Sequence, residues 1–204
     1  MRAVIICGGT ITDYRYIKAQ IKDGDLIICA DSGYDHAVNM GIKASIVVGD
    51  FDSISTIPAD IQTIQYPARK DQTDSEIAVE YARKMGVKDF LLIAATGTRL
   101  DHTLTNILLL KDCLAHGENA LIVEEHNKIM ITDSMMHLQE SAGSIVSLIP
   151  LSKCHGVTTE NLEYPLQDAT LYMGKGRGVS NIMTDNNACV SVRSGSLLII
   201  IAKD

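Results

Sequence analysis

The sequence predicts a two-part protein: an α/β region built on a mostly parallel sheet with helices on both faces, then an all-β sandwich. Three observations carry this expectation. Ile- and Val-rich runs alternate with helical patterns through the first part. Those runs are apolar on consecutive residues, as in strands covered on both faces. After about residue 120 only short β-prone segments separated by turn residues remain, the pattern of an antiparallel sandwich or barrel-like domain.

The strand-like runs of the first part are Ala3–Cys7, Leu26–Ala30, Ser45–Val48, Ile61–Tyr66 and Phe90–Ala95. Asp74–Met85 sets Ile77, Tyr81 and Met85 on one helical face, and Thr73 with Glu76 forms a capping-box pattern at its start. Asp101–His116 is apolar on most sides through Leu104, Ile107, Leu108 and Leu110, which predicts a well-buried helix. The later β-prone segments are Ala120–Val123, Lys128–Thr132, Met136–Gln139, Ser144–Ile149, Ala169–Met173, Ala188–Val192 and Ser196–Ala202, with no helix expected among them. The boundary falls near Glu125–Asn127, giving domains over 1–125 and 126–204. No internal repeat or low-complexity tract is evident.

Composition narrows the function. The 204 residues are 46% hydrophobic, enough for a substantial core, and the net charge of -7 argues against a nucleic-acid backbone as the main partner. The apolar run in MRAVIICGGT breaks at Gly8-Gly9, too early for a secretory signal, and no run approaches the roughly 18–20 apolar residues that span a bilayer. Cys7, Cys29, Cys113, Cys154 and Cys189 are scattered and form no CxxC pair. They read as reduced core thiols of a cytoplasmic protein.

Polar residues collect where the strands of the first part stop. CGGT (7–10), Asp31-Ser32-Gly33, GDFDS (49–53), RKDQTD (69–74) and TGTRLDH (96–102) follow the five runs in turn. In open parallel sheets, ligands bind beyond the carboxyl ends of the strands. Asp31, Asp50, Asp52, Asp71, Asp74 and Asp101 are therefore expected on one rim. In an extended segment, Asp50 and Asp52 point the same way and repel unless a cation joins them. Purely oxygen donors favour a hard cation, Mg²⁺ first, and Mg²⁺ on carboxylates usually carries a polyphosphate. Lys70 and Arg99 would hold phosphate oxygens, with backbone N–H groups approaching at Gly8-Gly9 and Gly97. No GxxxxGK[ST] motif is present. Ordinary roles compete for some of these residues: a turn for Asp31, the helix dipole for Asp74, a cap for Asp101. The residues by themselves reach Mg²⁺-dependent chemistry on a phosphorylated substrate.

ADSGYDHA (30–37), VVGDFDSI (47–54), KDQTDSEIA (70–78), GTRLDHTLTNI (97–107), VSLIPLS (146–152), GVSN (178–181) and SGSLLII (194–200) stand in an order and spacing that closely resembles the bacterial thiamine pyrophosphokinases. The resemblance runs along nearly the whole chain. It implies an α/β catalytic domain, a β-sandwich domain that binds thiamine and dimerises, and transfer of a pyrophosphoryl group from ATP to the thiamine hydroxyl, giving thiamine diphosphate and AMP. It further implies a homodimer whose active site lies between the α/β domain of one subunit and the β domain of the other.

By that resemblance Asp50, Asp52 and Asp74 would hold Mg²⁺, and Asp71 and Asp101 would complete the acidic site. Asp31, Lys70, Thr73, Arg99 and His102 would sit near ATP, and Ser180 and Asn181 would contact thiamine. Ser32 stands where the family usually has glycine, and the Gly174–Gly178 loop is more charged than its usual counterpart. A DxD phosphohydrolase would carry its aspartate pair after the first strand, not the third. A non-catalytic binding protein on this scaffold would have lost acidic residues that are all present here.

Overall fold

The structure, a computed structural model, describes residues 1–51, 60–67 and 71–203, so Asp52, Arg69 and Lys70 lie outside the described residues. The chain divides into two compact units, Met1–Glu125 and His126–Asp204.

In the first unit, β1 (Arg2–Ile6), β2 (Leu26–Ala30), β3 (Ile46–Gly49), β4 (Gln62–Gln65), β5 (Asp89–Ile93) and β6 (Asn119–Val123) lie in the order β6-β5-β1-β2-β3-β4. Every neighbouring pair is parallel. Alternate residues face opposite ways, and both sets are buried. Val4, Ile6, Ile27, Cys29, Val47 and Ile93 form one cluster with Ile17 of α1 (Tyr14–Lys18) and with Tyr34, Ala37 and Met40 of α2 (Gly33–Met40). Ala3, Ile5, Ile28 and Leu92 point to the other face and are equally enclosed. That face meets α3 (Asp74–Lys84), where the Ser75 hydroxyl donates to Cys7 Sγ at 3.4 Å. The sheet is thus covered on both sides, which is why its strands carry apolar residues without alternation.

α3 starts in the capping box. Thr73 Oγ1 accepts from the Glu76 N–H at 3.2 Å, and Glu76 Oε2 accepts from the Thr73 N–H at 2.7 Å. Its buried face is Ile77, Ala78, Val79 and Ala82, and Met85 is 47% exposed at the C-cap, so the helix is turned away from the Ile77–Tyr81–Met85 stripe.

α4 (Leu100–Ala115) departs further from expectation. It buries Asn106, Leu109, Leu110 and Cys113, while Leu104 and Leu108 are 59% and 52% exposed. A helix lying on one sheet face covers only one stripe, so apolar residues outside that stripe stay at the surface. α1 and α2 had no expectation at all. α1 spans five residues and starts where Asp13 Oδ1 accepts from the Arg15 and Tyr16 N–H groups. α2 opens inside the Ser32-Gly33 pair that reads locally as a turn. β6, the segment grouped by texture with the later strands, pairs parallel to β5 within the first unit.

The second unit contains two antiparallel sheets. β7 (Asn127–Thr132), β9 (Ile145–Pro150), β12 (Asn181–Ile182) and β14 (Leu197–Ala202) form the order β12-β9-β14-β7. β8 (Met135–Gln139), β10 (Cys154–Glu160), β11 (Ala169–Leu171) and β13 (Asn187–Ser191) form β11-β10-β13-β8. Val146, Leu148, Leu197 and Ile199 of one sheet and Leu138, Val157 and Val190 of the other make a single core, which defines a sandwich. β10 had escaped the sequence pattern, being Thr-rich and interrupted by Gly156. All five cysteines are free thiols. Among the described residues no helix is long and apolar enough to cross a membrane.

One charge is fully interior. The Glu118 side chain is 0% exposed; Arg83 Nε reaches its two oxygens at 2.9 and 3.0 Å, and Lys88 Nζ lies at 3.4 Å. Arg83 also donates to Asp112 at 2.7 Å, so one guanidinium joins the end of α3, α4 and the approach to β6. Burial opposes the Arg83 charge, yet these carboxylates more than offset it and raise its pKa. Replacing Glu118 by Ala leaves a partly buried cation short of a partner. We expect a loss of about 3 kcal/mol in urea unfolding, and a clearly smaller loss for Glu118→Gln, which keeps hydrogen-bond acceptance.

Candidate active site

The carboxyl ends of the parallel strands open onto a cleft of about 580 Å³. Its walls come from the segments after β1, β2, β3 and β5 and from the starts of α3 and α4. Asp31, Asp50, Thr73, Asp74, Arg99 and His102 all line it. Of the expected site residues, Asp71 and Asp101 are exposed and do not line the cleft, and Asp52 and Lys70 lie outside the described residues.

The cleft floor is made by backbone. The β1–β5 hydrogen bonding continues past both strands: Cys7 N–H donates to Ile93 O at 2.9 Å, Gly9 N–H to Ala94 O at 2.8 Å and Thr10 N–H to Thr96 O at 2.8 Å. The two segments run so close that a Cβ on Gly9 would sit 2.1 Å from Thr96 O and 2.3 Å from Ala94 O. Gly33 is equally constrained, its Cβ position lying 1.9 Å from Ile6 O. Three non-glycine residues at these strand ends take left-handed backbone: Asp31 (φ 47), Phe51 (φ 65) and Ala94 (φ 51). Such conformations cost free energy and persist where surrounding contacts enforce them, commonly at binding sites.

Side chains behind the floor hold it in place. The Asn106 amide, buried in α4, donates to Ala95 O at 2.7 Å, and Thr103 Oγ1 accepts from the Gly97 N–H at 3.1 Å. Asn39 Nδ2 donates to Tyr14 Oη at 3.1 Å, which leaves the tyrosine proton for His36 Nδ1 at 2.8 Å. His36 then carries its own proton on Nε2, facing Gly9 O at 2.9 Å. Glu125 Oε1 accepts from the Thr12 and Asp13 N–H groups at 2.6 and 2.8 Å, and Glu124 Oε1 from the Thr96 N–H at 2.9 Å. None of these supports stood out in the sequence. Glu124, Glu125 and His36 reach partners 27 to 113 residues away, so no local pattern marks them.

At the rim, Arg99 and Asp101 form a bidentate pair, Nε to Oδ1 at 3.1 Å and a terminal nitrogen to Oδ2 at 2.6 Å. The Arg99 hydrogen bond, followed by the His102 N–H, holds the Asp101 carboxyl down at about 2. Asp101 thus acts toward Arg99 and the first turn of α4 together.

In the second unit, Ser180 is exposed at φ 58 and its N–H donates to Ser147 Oγ at 3.1 Å. Asn181 is buried, with its oxygen accepting from the Tyr164 N–H at 3.0 Å and its amide donating to Tyr164 O at 2.7 Å. Asn181 itself lines a cleft of about 360 Å³ together with Tyr164, Leu166, Arg177 and Val179. Lys175 and Arg177 are exposed on their loop.

Replacing Gly9 by Ala forces a methyl group against two carbonyl oxygens, which must separate the β1 and β5 segments. We expect a stability loss of about 1–3 kcal/mol and faster hydrogen exchange at the Thr10 and Cys7 amides. Gly176→Ala, where nothing lies within 4 Å of the added carbon, should leave both unchanged.

Comparison with known proteins agrees with this geometry. Residues 17–122 match the family model described as thiamin pyrophosphokinase, catalytic domain, and residues 133–197 match its vitamin B1 binding domain. The thiamine pyrophosphokinase of Bacillus subtilis is 26% identical over an alignment covering 98% of each chain. A crystal structure of the B. subtilis enzyme shares the fold with a TM-score of 0.91 at 24% identity over the full length of both chains. That of the Geobacillus thermodenitrificans protein gives 0.86 at 27% identity, covering 100% of this chain and 98% of the other. With one family matching both units in order, and its catalytic model alone spanning more than half of the residues, this chain belongs to the thiamine pyrophosphokinase family of enzymes.

Proposed function

We propose that the enzyme transfers the β,γ-pyrophosphoryl group of ATP to the hydroxyl of thiamine, with Mg²⁺, in an active site built on the strand-end cleft. The observation that carries this reading is the meeting of Asp50, Asp74, Arg99 and His102 on one cleft floored by close-approaching backbone. In this reading residues 1–125 bind ATP and metal, while 126–204 bind thiamine and form a homodimer. The site lies between the α/β domain of one subunit and the β domain of its partner in the cytoplasm.

The thiamine hydroxyl oxygen forms a bond to the β-phosphorus as the bond from that phosphorus to the α–β bridging oxygen breaks. AMP leaves with the bridging oxygen, and the hydroxyl proton passes to a base. Arg99 opposes charge developing on the phosphate oxygens by position, without covalent chemistry. The Gly8–Thr10 and Gly97 turns line the same space, with the Gly9, Thr10 and Gly97 N–H groups spent on holding the two segments together.

The donors fit a hard cation. Among the described residues no three His, Cys, Asp or Glu side chains converge as a self-sufficient metal cage. Mg²⁺ needs no such cage, since it takes one or two carboxylates and fills its shell with water and phosphate oxygens. Asp50 and Asp74, with Asp52, would hold it, and once bound it would neutralise charge on the transferred group. The base is Asp71 or Asp101, and the pairing with Arg99 makes Asp101 a weak proton acceptor near neutral pH.

Two experiments test this reading. Incubated with ATP, Mg²⁺ and thiamine, the enzyme should yield equal amounts of thiamine diphosphate and AMP by mass spectrometry. Asp74→Asn should reduce the rate by about 10²-fold or more. Thiamine monophosphate with ADP would overturn the transfer assignment, and full activity in EDTA would overturn the metal. A carboxyl titration by NMR checks the rim. Because the folded pKa of Asp101 is depressed, its pairing contribution is intact above the unfolded value and disappears as pH falls toward 2. In Arg99→Gln the Asp101 pKa should rise from about 2 but stay below the ordinary carboxylate value, because the His102 N–H still lowers it.

A further inference from the structure

Glu124 stands just past β6, outside the residues that line the cleft, yet its carboxylate meets a residue that does. Oε1 accepts from the Thr96 N–H at 2.9 Å, and Oε2 takes a short hydrogen bond from the Thr96 hydroxyl. Both donors of one cleft residue are thus given to one side chain. Thr96 in turn offers its carbonyl to Thr10 N–H and leads into Gly97, Thr98 and Arg99, all on the cleft wall. Burial pushes the Glu124 carboxyl above the usual carboxylate range, with both Thr96 bonds pulling the other way and the Glu125 charge adding to the rise. Among the described residues no cation pairs with it. A carboxylate kept in an unfavourable place, spent on one loop residue, is explained by what that loop must do.

We infer that Glu124 is a positioning residue for nucleotide binding: by taking both Thr96 donors it fixes the Thr96–Arg99 segment at the distance from the Gly8–Thr10 turn that a polyphosphate needs. The inference rests on the ATP reading above for its ligand, and on the two hydrogen bonds for its geometry. It is the reach of the side chain that matters, since the carboxylate touches no ligand and serves only through Thr96. A glutamine retains that reach, with its oxygen on the Thr96 N–H and its amide donating to the hydroxyl oxygen. An aspartate keeps the charge and withdraws both acceptors by one methylene.

Calorimetric titration of the full-length enzyme with Mg²⁺ and ATP, beside hydrogen exchange of the Thr96 and Gly97 amides, tests this. In Glu124→Ala and Glu124→Asp the dissociation constant for ATP should rise about tenfold or more, and both amides should exchange faster. In Glu124→Gln both readouts should stay close to the parent. The inference is overturned if Glu124→Gln is as impaired as Glu124→Ala, or if Glu124→Asp binds and exchanges like the parent. A purely structural role would lower the melting temperature of all three variants without separating reach from charge. If the parent itself binds no nucleotide, the ATP reading fails, while the exchange comparison still decides whether Glu124 sets the loop.

Discussion

The close approach of the β1 and β5 segments beyond their strands is the constraint on which the rest of the site depends. Hydrogen bonds from Gly9 to Ala94 and from Thr10 to Thr96 carry the parallel pairing out of the sheet and into the cleft floor. That spacing excludes a Cβ at residue 9 and drives Ala94 into left-handed backbone while it stays fully enclosed. Once the two segments are joined, the Gly8–Thr10 turn and the Gly97–Arg99 turn cannot move independently. A ligand entering the cleft then meets a wall that is already ordered, which lowers the ordering cost of binding.

The surrounding fold holds that joint from several directions. Asn106 and Thr103 reach it from α4, His36 from α2, and Glu124 and Glu125 from the end of β6. Each uses a polar group on backbone that the strands themselves leave unpaired, which is the general requirement for an enclosed loop. Farther from the cleft, the half-buried Arg83 joins α3 to Asp112 of α4 and to the enclosed Glu118 ahead of β6, and so ties together the helices whose N-terminal ends carry Asp74 and Arg99. Charge does two kinds of work here. The Arg83 cluster joins helices, whereas the exposed Arg99–Asp101 pair at the rim is screened by solvent and can open for a ligand.

Much of this was legible in the chain. Doubly buried parallel strands need apolar residues at successive positions, so β1, β2, β3 and β5 stood out directly. The α3 capping box is a local motif, and its two hydrogen bonds formed as written. The cleft residues Asp31, Asp50, Asp74, Arg99 and His102 were legible because chain order puts every strand's carboxyl end on one edge of a parallel sheet. The exposure of Leu104 and Leu108 was not, since an apolar residue reads the same whether or not a neighbour covers it. α1 and α2 are too short for periodicity to register.

The sequence by itself determined the α/β-then-β plan and the family, because these rest on local periodicity and on motifs contiguous in the chain. Only the tertiary structure decided which polar groups support the site. Glu124 meets Thr96 across 28 residues, Glu125 meets Thr12 across 113, and His36 meets Gly9 across 27. The Asn181 carboxamide meets the Tyr164 backbone across 17 residues. Pairings of this kind depend on which strand ends and helix faces the fold brings within about 3 Å, and no local pattern encodes that distance.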